Sequence, residues 1–166
     1  MVNLFHRPPI LKWIKKMFKH AEKHQWYETY WSLDVHGVIS KPDYRKENKE
    51  IDYYPFAKET LQLMSKRDDI IMYLFTSSYP DEIKKYIETF KNDGIHFKYV
   101  NENPEISSEN GCFGYYYQKP YYNVLFEDKA GFDPFNDWKP LYKYFKRTKY
   151  KPNLEWSFKN KDNYYK

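Results

Sequence analysis

Six consecutive apolar residues, Ile70-Ile71-Met72-Tyr73-Leu74-Phe75, stand between two polar segments with helical spacing. A run this short and this uniformly apolar reads as a strand covered on both faces, the situation of a strand inside a parallel sheet. A similar run, Asn123-Val124-Leu125-Phe126, comes later, and the stretch Tyr30-Trp31-Ser32-Leu33-Asp34-Val35-His36-Gly37-Val38-Ile39 precedes both. Strands alternating with helices predict an α/β fold: a Rossmann-like three-layer α/β/α sandwich with a mainly parallel sheet and helices on both faces.

The connecting segments support that alternation. After Pro8-Pro9, the residues Ile10, Leu11, Ile14, Met17, Phe18 and Ala21 recur at helical spacing up to about His24, with Lys12, Lys15, Lys16, Lys19 and Lys23 on the other face. A second helix opens at Pro55 with Phe56, Thr60, Leu61 and Met64 inward and ends near Lys66-Arg67. A third opens at Pro80 on Ile83, Tyr86, Ile87 and Phe90, and Gly94 stops it. Asp137 is the expected cap of a closing helix, with Pro140 in its first turn and Leu141, Tyr144 and Phe145 inward. Residues 40–54 read as a loop or short hairpin, 96–100 as a short strand and 115–117 as an edge strand. The expected organisation is a basic amphipathic helix packed on the domain (1–28), a core (29–149) and a C-terminal tail (150–166).

Composition narrows the functional classes. A chain of 166 residues is one domain, and no apolar run in it is long enough to span a bilayer. The first nine residues carry Arg7 and two prolines, which does not read as a signal peptide. A single cysteine, Cys112, excludes an internal disulfide and fits a reducing cytoplasm. The formal charge of +5 favours anionic partners such as nucleotides, nucleic acid or acidic surfaces. His20 and His24 have a zinc-compatible spacing, but no glutamate follows His20 and no third ligand is evident.

Chemistry-bearing residues gather at strand ends. Asp34 follows the first strand, Thr76-Ser77 the second and Glu127-Asp128 the last, with Lys119 in the loop before it. In a parallel sheet such ends share one rim. Several carboxylates meeting there are costly to ionise unless a cation sits among them, and oxygen donors of this kind suit Mg²⁺. A hydroxyl at Thr76 or Ser77 and the Lys119 ammonium would complete a cradle for a phosphoryl group.

The pattern resembles the haloacid dehalogenase superfamily of aspartate-nucleophile phosphohydrolases. Leu33-Asp34-Val35-His36-Gly37 is similar to its first motif, Tyr73-Leu74-Phe75-Thr76-Ser77 to its second, Lys119-Pro120 to its third, and Glu127-Asp128, with Asp133 beyond, to its fourth. The phrase from Lys119 to Asp133 is similar to small phosphatase-like proteins of phages and bacteria. The resemblance implies that Asp34 is the nucleophile, and that Asp34, the backbone carbonyl of His36, and Asp128 or Glu127 hold Mg²⁺. It implies that Thr76, or Ser77 in its place, binds the phosphoryl oxygens and that Lys119 neutralises charge. The gaps at 38–69 and 78–118 are too short for a large cap domain, so the site resembles that of capless members acting on nucleotides or nucleic-acid ends.

His36 departs from the family pattern, which has a second acid there. An imidazole can do the same acid and base work near neutral pH. The alternative is a catalytically altered or inactive module that binds nucleic acid or a protein partner.

Overall fold

A computed structural model describes residues 9–42, 51–106, 116 and 119–148. Four strands, β1 (Thr29–Leu33), β2 (Ile70–Leu74), β3 (Tyr99–Val100) and β4 (Val124–Phe126), form one sheet in the order β3-β2-β1-β4. Every pairing in it is parallel. With helices α1 (Ile10–Lys23), α2 (Ala57–Met64), α3 (Pro80–Asn92) and α4 (Pro134–Arg147), this is a small Rossmann-like α/β fold, as the sequence predicts. The chain moves outward from β1 through β2 to β3 and then returns to lay β4 on the far side of β1. The strand order therefore reverses between β1 and β4, where such sheets open a crevice at their carboxyl ends.

The two faces of the sheet are covered differently. Trp31 meets Phe18 of α1, Phe126 of β4 and Phe145 of α4 at ring-centroid distances of 5.9, 5.6 and 5.9 Å. Right-handed crossovers place α2 and α3 on one side, and Lys58 and Gln62 of α2 bond Asp93, the cap of α3. The opposite face presents Tyr30 and Tyr73. There the Tyr30 and Tyr99 hydroxyls donate to the Glu105 carboxylate (3.0 and 2.6 Å), and the Tyr73 hydroxyl donates to the Tyr121 carbonyl (3.2 Å). The described residues on this face are loop rather than helix, so the helix layer expected on both faces is found on one; the β3 to β4 connection is polar and rich in turn formers.

α1 packs on the domain through Phe18 against Trp31 and Tyr144. The His20 and His24 rings lie 4.3 Å apart and both contact the Trp26 ring. At the opposite end of the sheet from the crevice, Arg67 grips Asp69 through Nε and Nη2 (2.8 and 2.6 Å), while its guanidinium lies over Phe18 and Phe145. The Asp69 carbonyl in turn accepts from the Thr29 amide and hydroxyl, tying the start of β1 to the start of β2.

Several local expectations are corrected. Phe56 is not inward: it precedes α2 in a left-handed conformation (φ 68°) and is 36% exposed, so Ala57 takes the first core position. Phe75 lies beyond β2 and is exposed. The closing helix begins earlier than expected, because Asp133 is its cap and accepts from the Phe135 amide. Asp137 lies buried inside α4, where its carboxylate accepts from the Asp133 amide, and Pro140 falls within the helix rather than in its first turn. Residues 40–54 do form paired ends, with Ser40 bridged to Tyr53, the Lys41 amide bonded to the Asp52 carbonyl and the Tyr54 amide to the Ile39 carbonyl. The expected tail and, apart from Tyr116, the expected edge strand at 115–117 lie outside the described residues.

Candidate active site

Parallel register brings the strand ends level. Leu33 is opposite Leu74 on one side and Phe126 on the other, so Asp34, Phe75 and Glu127 follow at the same height. Two hydrogen bonds continue the ladder past the strands: the Asp34 amide donates to the Phe126 carbonyl (3.0 Å), and the Phe75 amide to the Leu33 carbonyl (2.8 Å). The Asp34 carboxylate also accepts from the Val35 amide (2.7 Å), which orients it. The chain is thus held by β4 at Asp34 and on the β2 side at Leu33.

Asp34, Glu127 and Asp128 each offer a carboxylate oxygen within 4.8 Å of the others. The turn after Asp34 allows this crowding. Gly37 has φ +80°, and a Cβ on it would lie 2.7 Å from Asp128 Oδ2. The turn closes through the Gly37 amide to the Ser40 carbonyl and the Ile39 and Ser40 amides to the Val35 carbonyl.

The electrostatics record the crowding. Burial holds the Asp34 carboxyl above its usual range, and the nearby Asp128 charge pushes the same way, against the Val35 amide, His36 and Lys129. Burial also raises Glu127, reinforced by a hydrogen bond with Asp128 and by the Asp34 charge. Asp128 is lowered, chiefly by that hydrogen bond from Glu127. Three oxygen donors that resist being charged together fit a small hard cation such as Mg²⁺.

The other expected residues take distinct places. Thr76 is buried, its amide donating to Asn101 Oδ1 and its carbonyl accepting from Asn101 Nδ2, both at 2.8 Å. Its hydroxyl donates to Ser78 Oγ (3.2 Å), while Ser77 is exposed. His36 is half-buried, with Nε2 at 3.2 Å from the Tyr86 hydroxyl of α3. Lys119 is exposed and forms no hydrogen bond or ion pair with the three carboxylates. The ammonium beside them is that of Lys129, 3.9 Å from Glu127 Oε1. Asp133 is committed to capping α4 and lies outside the cluster.

Sequence reading missed Asn101, Tyr86 and Lys129. Asn101 carried one usable signal, since Asn just after a strand is, among residues with a side chain, one that tolerates the left-handed conformation it adopts (φ 57°). Tyr86 was legible only as an inward helix position.

No family model and no curated protein matches the chain. It is similar to a solved structure of a conserved protein from Bacteroides thetaiotaomicron, with a TM-score of 0.53 and 25% identity, covering 74% of this chain and 93% of that one.

Proposed function

We propose that the chain is a Mg²⁺-dependent phosphomonoesterase with Asp34 as nucleophile. The observation that carries this is the convergence of Asp34, Glu127 and Asp128 within 4.8 Å at the reversal of strand order. A bound Mg²⁺ would neutralise the carboxylates and phosphoryl oxygens; Asp34, Asp128 or Glu127, and the His36 carbonyl are its proposed ligands.

An Asp34 oxygen attacks phosphorus and the ester P–O bond breaks, leaving an aspartyl-phosphate. The leaving oxygen takes a proton from His36, whose ring the Tyr86 hydroxyl orients. His36 then accepts a proton from water, the water oxygen attacks phosphorus, and the bond to Asp34 breaks to release phosphate. Thr76, its backbone held by Asn101, supplies its hydroxyl at the phosphoryl group. Lys119 or Lys129 supplies the positive charge, and Lys129 is favoured by its place beside Glu127.

Phosphate release from an aryl phosphate, mononucleotides and end-phosphorylated oligonucleotides, with and without Mg²⁺, tests this. Release that needs both Mg²⁺ and Asp34 supports the proposal. Equal release by wild type and Asp34→Asn overturns it.

A further inference from the structure

A groove of about 860 Å³ runs between α1 and the outer edge of β4. One wall carries Lys16, Lys19 and Lys23 on successive turns of α1, and no carboxylate is among the described residues lining the groove. The rings of Trp13, Trp26, Tyr121 and Tyr122 are among its lining as well. Trp13 is 51% exposed, with the Lys16 ammonium 5.6 Å from its ring centre. An indole of that size left in water on a helix with buried positions nearby is not held there by core packing.

A row of ammonium groups beside an exposed indole and half-buried aromatic rings is the chemistry of single-strand binding: the cations follow the phosphates and the rings stack on bases. We propose that this groove binds single-stranded nucleic acid. From Trp13 to Lys23 the helix rises about 15 Å at roughly 1.5 Å per residue, room for about four stacked nucleotides at roughly 3.4 Å each. The lining includes Phe126, the residue before Glu127, and Ala130, Gly131 and Phe132, which follow Asp128 after Lys129. A strand lying in it would deliver its terminal phosphate toward the acidic cluster, so the inference rests on the phosphatase reading only for that last step. It names the substrate class as the phosphorylated end of a single strand.

The test is fluorescence anisotropy of a labelled ten-nucleotide oligothymidylate on the full chain carrying Asp34→Asn, in chelator, so that turnover plays no part. Three phosphate contacts predict a slope of about −2 in log K against log salt. Replacing Lys16, Lys19 and Lys23 together by Ala should flatten that slope, and Trp13→Ala should weaken binding about tenfold. Lys84→Ala, an exposed charge on α3, should change neither by more than one surface charge does. An abasic oligonucleotide of the same length binding equally well, or indifference to both groove variants, overturns the proposal. A dimer in sedimentation that Trp13→Ala dissociates would assign the groove to a second copy and overturn it too. Asp34-dependent release from an aryl phosphate without oligonucleotide binding removes the groove inference alone. Groove-dependent binding without any phosphate release removes the phosphatase reading and leaves the groove.

Discussion

The Gly37 backbone and the Asp128 carboxylate occupy adjoining space: a methyl group on Gly37 would stand 2.7 Å from Asp128 Oδ2 and 3.0 Å from its Cγ. The turn after the proposed nucleophile and the acid after the last strand are thereby fitted to one another. Gly37→Ala should cost about 1–3 kcal/mol, from a left-handed backbone that an L side chain resists and from displacement of the carboxylate. It should also weaken Mg²⁺ binding by calorimetry. Gly131→Ala has the same sign of φ (+99°) but open space around it, so it should cost about 1 kcal/mol and leave Mg²⁺ binding unchanged.

Asp34 and Glu127 have folded-state values raised above 3.8 and 4.5. For a raised acid the stabilising contribution is full below the unfolded value and is lost as pH rises through the folded one. Without metal the contribution of these two groups should therefore shrink as pH rises through that window. Asp34→Asn should raise the metal-free Tm at neutral pH. Since Mg²⁺ competes with protons for the same oxygens, its affinity and the Tm gain it gives wild type should grow with pH and shrink in Asp34→Asn. Thermal melts with chelator and with Mg²⁺ across pH check all three, and a gain independent of pH contradicts the site.

Asn101 and Thr76 exchange two backbone-to-amide hydrogen bonds across the ends of β3 and β2. Asn101→Ala removes both and adds backbone strain, for an expected loss of about 2 kcal/mol in urea unfolding. Asn101→Asp keeps the acceptor but not the donor and should lose less. Both variants should bind inorganic phosphate more weakly if Thr76 helps to hold the phosphoryl group.

The Arg67–Asp69 pair is a structural clasp. Both side chains are only 10% exposed, and the guanidinium also donates to the Thr148 carbonyl (3.1 Å). Arg67→Ala strands a buried carboxylate and should cost about 3–5 kcal/mol, read as a lower denaturant midpoint at unchanged slope. Mg²⁺ affinity measured below the melting transition should not move, because the pair lies at the far end of the sheet from the carboxylates.

The strands were legible because burial on both faces demands unbroken apolar runs, and the helices because burial of one face imposes a period. Asp34, Thr76 and Glu127-Asp128 stood out for the same reason, as polar residues placed abruptly at the ends of such runs. The sequence by itself determined these elements and the fact that each strand ends in chemistry. Only the tertiary structure decided which groups meet. Strand order put β4 beside β1, and register set Asp34 level with Glu127. Lys129 rather than Lys119 came to stand by Glu127, and Asp133 rather than Asp137 capped α4. The strand pairing joins residues far apart in the chain, and the path of the loop after β4 sets which nearby side chain turns toward Glu127 or caps α4. Local periodicity carries no record of either.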